Sequence, residues 1–224
     1  MKLVAAMVVL GAVTLTLVSP AGATNECRGL NPCVAVAGPW VVTPPSGEKA
    51  QYQLTCPKGY AVGGTDAELS DRAIDLAFLA TSGAPVSPGI TTSRTLVFLA
   101  AYTGRAARSP TFRPHIGCIP ATGGGRRTPT AAAPIVPPGA PTVRRAVTAR
   151  VTGTKRIVAS CRANQRLVDW YATRAFATPA PPAAALVASL SVRARPVEDT
   201  VVAAVVARQG QGIVQVAAVC AGGR

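Results

Sequence analysis

The stretches Ala50–Cys56 (AQYQLTC) and Thr111–Cys118 (TFRPHIGC) have counterparts further along the chain, Lys155–Cys161 (KRIVASC) and Gly212–Cys220 (GIVQVAAVC). In each pair, an apolar run ending in cysteine opens a segment and a second such run closes it. This repetition predicts two modules, each closed by its own disulfide. The predicted pairs are Cys56–Cys118 and Cys161–Cys220, which leaves Cys27–Cys33 to close a small N-terminal loop.

Short runs of alternating apolar and polar residues, separated by Pro and Gly clusters, indicate strands rather than helices. The pair Gly63-Gly64 predicts either a bulge or the close approach of another backbone. We therefore expect an all-β fold of two tandem, disulfide-closed β-sandwich-like modules. Helix is the alternative for the Ala-rich runs, because Ala is the best helix former. Interleaved Val residues favour strand, and Ala184–Val192 is predicted as the long middle strand of the second module.

The chain opens with the features of a cleaved signal peptide, residues 1–23. Lys2 precedes the apolar run Leu3–Val18, and Ala21-Gly22-Ala23 supplies the small-x-small cleavage pattern. That run is short for a membrane span, and no later run is longer, so no transmembrane segment is predicted. An exported chain permits disulfides. The further segments are an N-terminal Cys loop (24–39), a first β module (40–119), a Pro/Gly-rich linker (120–142) and a second, basic β module (143–224).

One continuous sandwich with an excursion between its halves is the alternative to this tandem arrangement. Secretion to the outside of the cell or to a periplasmic or other extracytoplasmic compartment follows from the signal peptide and the cysteines.

Positive charge is concentrated in the second half of the chain. The net charge is +14. From Thr24 to Cys118, eight Lys/Arg accompany six Asp/Glu, whereas from Ile119 to Arg224 fourteen accompany three. Such a tract attracts polyanions, and its alternative role is only to keep the surface soluble. The predicted contacts to an anionic envelope polymer are Arg144, Arg145, Arg150, Arg156, Arg162 and Arg166. A dedicated nucleic-acid partner is not expected, because the aromatic residues that stack on bases are sparse.

Residue types that carry catalysis are few. His115 is the only histidine, it falls in the predicted closing strand, and no nucleophile signature accompanies it. The acids between Asp66 and Asp75 are expected to be solvated. Their alternatives are a calcium site at Asp66, Glu68 and Asp71 or the carboxylate pair of a hydrolase. No cofactor, metal or catalytic residue is predicted.

The run from Cys56 to Gly64 (CPKGYAVGG) resembles the Cys-Pro-x-Gly-x-x-x-Gly-Gly opening of modules in exported bacterial proteins of unknown role. The resemblance covers nine residues, and the second module departs from it at Cys161-Arg162-Ala163-Asn164. No activity follows from this resemblance. From the export signal, the cysteines and the basic second half, the expected function is that of a secreted, non-catalytic bacterial protein that binds or builds in the cell envelope. The alternatives are a secreted hydrolase, or an inhibitor or adhesin using loops at Ser82–Gly89 or Pro179–Pro182.

Overall fold

The computed structural model describes residues 24–45, 48–80, 93–105, 109–121 and 142–222. The predicted signal peptide, the loop Ser82–Gly89 and all but the ends of the predicted linker lie outside these residues. The described part of the chain is almost entirely strand, so the all-β prediction is confirmed. Its elements are β1 (Val34–Ala37), β2 (Trp40–Val42), β3 (Lys49–Thr55), β4 (Tyr60–Leu69), β5 (Ile74–Ala80), β6 (Thr95–Tyr102), β7 (Thr111–Pro120), β8 (Val143–Ser160), β9 (Gln165–Phe176), α1 (Ala184–Ser189), β10 (Leu190–Val197) and β11 (Thr200–Gly222).

The two halves of the chain have the same strand order. In the first half, β3, β6 and β5 form one antiparallel sheet, while β7 pairs with β4 on one edge and with β1 and β2 on the other. In the second half, the first part of β11 pairs with β8 and β10, and its second part pairs with β8 and β9. Thus β8 corresponds to β1, β2 and β3 joined end to end, and β11 corresponds to β6 and β7 joined.

Prolines and glycines explain why the strands are broken in one half and continuous in the other. Pro39 and the pair Pro44-Pro45 interrupt the strands of the first half, since proline cannot donate to a ladder. In the second half, Gly153 and Gly210 adopt positive φ angles of 74° and 65°, which glycine tolerates without strain. The ladder between β8 and β11 shifts register at the same corner, between Ala207 and Gly212. The long strands therefore bend from one layer into the next without ending.

A single eight-stranded sheet contains strands from both halves. The strand that joins them is β2, in which Val41 lies opposite Phe112 of β7 and opposite Ala175 of β9. The module boundaries predicted at 40–119 and 143–224 remain predictions. Backbone pairing passes from one half of the chain to the other through β2 and β9.

Each face of this central sheet covers its own hydrophobic core. The row Phe112, Val41, Ala175 and Ile213 contributes to the first core, against the buried face of the sheet β3–β6–β5. On the opposite face of the central sheet, Val42, Phe176 and Val214 contribute to the second core. They pack against β10 and the adjoining parts of β8 and β11. The molecule therefore consists of sheet layers that share the central sheet.

The three disulfides pair as the sequence predicts: Cys27–Cys33, Cys56–Cys118 and Cys161–Cys220. Cys118 and Cys220 are both fully buried at the ends of closing strands. This set of disulfides fits an oxidising compartment outside the cytoplasm.

The prediction of a strand over Ala184–Val192 is wrong at its beginning. Residues Ala184–Ser189 form the short helix α1, and the strand β10 begins at Leu190. Helix propensity prevails here, because the segment is Ala-rich and follows Pro182. The guanidinium of Arg174 donates to the carbonyl oxygens of Val187 (3.4 Å) and Leu190 (2.9 Å), and a cation at a helix C-terminus favours the helix.

Candidate functional site

The six arginines predicted to bind a polymer do not form one cluster. Two of them are held by other side chains and four are exposed, and the exposed ones lie on different parts of the second half. Local contacts therefore decide which arginine is available to a ligand.

Arg144 connects the two halves. Its guanidinium donates to Oε1 of Gln51 and stacks 4.8 Å from the centre of the Tyr171 ring. Burial lowers the pKa of Arg144 from its ordinary value. Tyr171 in turn donates from its hydroxyl to Asp169, and burial followed by this hydrogen bond raises the pKa of Tyr171. A half-buried guanidinium with these two contacts serves packing between the halves.

Arg145 is engaged by Gln165, a buried residue at the start of β9. The Gln165 Oε1 accepts from Nε (3.1 Å) and Nη2 (2.9 Å) of Arg145 and from the backbone N–H of Arg162 (3.3 Å). Its Nε2 donates to the carbonyl oxygen of Gly222 at 3.3 Å. Gln165 thereby holds the end of β11 close to the Cys161–Cys220 disulfide, and Arg145 helps to hold Gln165.

The remaining four, Arg150, Arg156, Arg162 and Arg166, are exposed. Arg150 lies on β8 just before the corner, where its carbonyl oxygen accepts from Lys155 at 3.5 Å. Arg162 and Arg166 lie near the β8–β9 turn. Among the described residues, the recorded ion pairs all lie in the first half of the chain. None of these four arginines in the second half has a recorded ion-pair partner.

Arg156 belongs to a group that the sequence analysis did not identify. On the outer surface of β8, β11 and β10, Arg156 lies opposite Ala204, and Ala204 lies opposite Arg193. Strand spacing places Arg156 and Arg193 roughly 10 Å apart across the small Ala204, and Arg195 about 7 Å further along β10. We call Arg156, Arg193 and Arg195 the arginine face.

The strand positions around the arginine face are uncharged, and the nearest acids along these strands are Glu198 and Asp199 in the β10–β11 turn. The other outward positions of these segments, all of which the structure describes, are Thr154, Val158, Ser160, Ser191, Val197, Thr200, Val202, Ala204 and Val206. No acid stands among these strand positions, so the positive potential of the three guanidinium groups is lowered only from the turn, where Asp199 also accepts from the N–H of Leu167 at 3.0 Å. The signal for this face in the sequence is the period-two spacing of Arg193 and Arg195 on a strand, outside the continuous basic tract.

The acidic cluster of the first half is occupied by internal hydrogen bonds. Asp66 accepts from the backbone N–H groups of Asn25 (2.6 Å) and Ala67 (2.7 Å). Asp71 accepts from the N–H of Ala73 (2.9 Å) and from the hydroxyl of Tyr102 (3.2 Å). Within the described ranges, no three His, Cys, Asp or Glu side chains are placed to hold a metal ion.

His115 is buried on β7, between two carboxylates. Its Nε2 lies 2.8 Å from Oε1 of Glu68, and its Nδ1 lies 3.8 Å from Oε1 of Glu26. Arg113 lies 3.5 Å from the same Glu68 oxygen. Because Glu26 belongs to the N-terminal Cys loop, this network attaches that loop to the central sheet.

A groove of about 630 Å³ lies between the β4–β5 turn and α1. Its lining includes Asp71, Thr111, Arg174, Pro182 and Val187. Asp66 and Glu68 are directed to the N-terminal loop and His115 instead, so the acids of the predicted hydrolase cluster do not share this groove. The mixture of one acid, one half-buried arginine and several apolar residues defines no particular ligand.

Comparison with protein-family models, with curated proteins and with solved structures finds no match for this chain. The resemblance of Cys56–Gly64 to exported bacterial modules thus stays a prediction. In the part of the chain that the structure describes, no helix is both long and apolar enough to cross a membrane.

Proposed function

We propose that this protein is a secreted, non-catalytic bacterial protein of the cell envelope or extracellular space that binds an anionic polymer through the arginine face. The observation that carries the proposal is the meeting of Arg156, Arg193 and Arg195 on one exposed sheet surface whose other strand positions carry no acid.

The geometry suits an extended polyanion. The outward residues of β11 between the arginines are small, with Ala204 and Val202 at its centre, so a chain lying along β11 would have cations on both sides. Guanidinium groups bind phosphate and carboxylate oxygens in a bidentate manner. Several such contacts along one polymer would release counterions and make binding depend on salt.

The alternative functions have less support. The hydrolase requires the acids to converge on a substrate, and Asp66, Glu68 and Asp71 are engaged by separate internal partners. For the inhibitor or adhesin, Ser82–Gly89 lies outside the described residues. Pro179–Pro182 is largely exposed and partly lines the groove beside α1, which gives no indication of a partner.

Two variants with the same change in net charge test the proposal. The first is R156Q/R193Q/R195Q on the arginine face, and the control is R162Q/R166Q/R208Q at exposed positions elsewhere in the second half. Binding to immobilised polyphosphate, a teichoic acid and heparin would be measured over a range of salt concentrations. For the arginine-face variant we expect the slope of log K against log salt to fall by about 2, which is three contacts at ~0.7 each.

The control should reduce the slope by much less, because its residues lie outside the arginine face, two near the β8–β9 turn and one at the corner of β11. Equal losses in both variants would mean that net charge, not the arginine face, determines binding. Binding that does not respond to salt in the unmodified protein would contradict the electrostatic mechanism altogether.

A further inference from the structure

Strand β8 has an open edge. It is 18 residues long, and among the described strands its backbone pairs only with β11. Its residues from Thr152 to Arg156 are continuously exposed, as are Val158 and Ser160. An open edge presents unpaired N–H and C=O groups to which another extended chain can bind.

The first half of the molecule shows how the corresponding edge is closed. The side-chain amide of Gln215 accepts from the N–H of Gln53 (2.7 Å) and donates to its C=O (3.1 Å), as a neighbouring strand would. The hydroxyl of Thr173 donates to the C=O of Gln51 at 2.7 Å. The edge of β3 is therefore satisfied by the second half of the chain.

The duplication identifies the same groups on β8. Counting back from the disulfide cysteines, Gln51 and Gln53 before Cys56 correspond to Arg156 and Val158 before Cys161. The backbone groups of Arg156 and Val158 should therefore point to the open edge, just as those of Gln51 and Gln53 point to Thr173 and Gln215. No described side chain is recorded bonding to them.

Charge indicates the occupant. Within the edge Thr154–Ser160, β8 carries the exposed cations Lys155 and Arg156, with the exposed Arg150 just before the corner, and the strand has no acid. The whole chain has a net charge of +14, so a second copy would be repelled. Cations on an edge strand discourage pairing with neutral or basic strands. The same cations would attract an acidic strand to the edge of β8.

We propose that the edge Thr154–Ser160 of β8 binds an extended acidic segment of another protein by strand addition. Main-chain hydrogen bonds to Arg156 and Val158 hold the segment, and its alternate side chains on the outer face meet the guanidinium of Arg156. This edge shares Arg156 with the arginine face, but strand addition depends on backbone groups, so a change that removes an edge N–H separates it from polymer binding.

The probe is a fluorescent, end-capped peptide of eight residues that alternates Glu and Val, with binding followed by anisotropy. Val158→Pro removes one edge N–H and leaves the N–H groups that face β11, which an edge strand tolerates. The control, Val158→Ala, shortens the same side chain and keeps the N–H. We expect Val158→Pro to weaken binding about tenfold, the loss of roughly one backbone hydrogen bond, and Val158→Ala to bind within about twofold of the unmodified protein.

Amide hydrogen exchange in the unmodified protein gives a second readout that does not depend on how the proline variant folds. The N–H groups of Arg156 and Val158 should become protected on adding the peptide. A Lys/Val peptide that binds equally well, no protection at these amides, or no binding at all would overturn the proposal. Self-association by sedimentation that Val158→Pro abolishes would overturn it too, because the occupant would then be a second copy.

Discussion

At the residue scale, two glycines determine where the N-terminal loop lies. Gly64 and Gly117 face each other across β4 and β7, and the carbonyl oxygen of Glu26 approaches both. A Cβ on Gly64 would lie 1.9 Å from that oxygen, and one on Gly117 would lie 2.0 Å from it. Both sequence-based readings of Gly63-Gly64 are confirmed, because the ladder also shifts register between Val62 and Gly64.

Gly64→Ala should therefore destabilise the protein. The added methyl group meets backbone, which cannot rotate away, and we expect a loss of about 1–3 kcal/mol, the usual cost of overpacking. Its control is Gly63→Ala, whose Cβ would lie 2.8 Å from the side chain of Ile119 and would not approach backbone, so it should cost less. Denaturant unfolding measures both, and equal losses would contradict the role assigned to the Glu26 contact.

Tyr52 predicts a specific response to alkali. Burial raises its pKa from 10.0 to about 12. Because the raised pKa belongs to the folded state, the unfolded chain loses this proton first. Stability from this group is therefore complete below pH 10 and is lost as the pH rises toward 12.

Tyr52→Phe tests this response. Between pH 10 and pH 12, the free energy of unfolding of the variant should fall by about 2–3 kcal/mol less than that of the unmodified protein. Denaturant midpoints measured at several pH values give the comparison, with Tyr60→Phe as a control at a less buried position. Parallel pH profiles for Tyr52→Phe and the unmodified protein would show that burial does not hold the proton.

At the element scale, side chains replace a strand at the edge of β3. The side chain of Gln215 also donates to Oγ1 of Thr148 at 2.9 Å, so it is held in position while it bonds Gln53. An edge strand with unpaired groups invites association with other chains. Closing it with a glutamine removes that hazard and joins the halves.

Gln215→Leu should lower the free energy of unfolding by about 1–2 kcal/mol, because the half-buried N–H and C=O of Gln53 lose their partner. The control Gln209→Leu removes an exposed glutamine elsewhere on β11 and should change stability by less than about 0.5 kcal/mol. Urea unfolding gives both values. If the two variants are equally stable, then water or a shift of β3 satisfies Gln53 instead.

At the scale of the whole molecule, the shared sheet predicts cooperative unfolding. The strand pair β2–β9 and the contacts of Arg144, Thr173 and Gln215 join the halves. We therefore expect one thermal transition for the entire protein by calorimetry, whereas independent tandem modules would give two.

Disulfide variants sharpen that expectation. The double substitution C161A/C220A opens a loop with a sequence separation of 59, and should lower stability by about 4 kcal/mol in the chain-entropy model. C56A/C118A should lower the stability by a similar amount and displace the same single unfolding transition. The control C27A/C33A opens a loop of separation 6 and should cost only about 2 kcal/mol. Splitting into two transitions, with only one displaced, would contradict a shared cooperative unit.

The sequence by itself determined what depends on local pattern and covalent closure. Period-two alternation ending at cysteines specified strands, and the repeated cysteine spacing specified the three disulfides. The strand predicted at the start of Ala184–Val192 was wrong. The helix propensity of alanine, the preceding Pro182 and the contacts of Arg174 together favour the helix there.

Tertiary structure alone decided how the halves meet and which arginines stand together. The pairing of β2 with β9, the withdrawal of Arg144 into a contact with Gln51, and the joining of Arg156 with Arg193 and Arg195 all depend on strands far apart in sequence. Strand register brings such residues together, and a single strand's own periodicity gives its faces but not its neighbours.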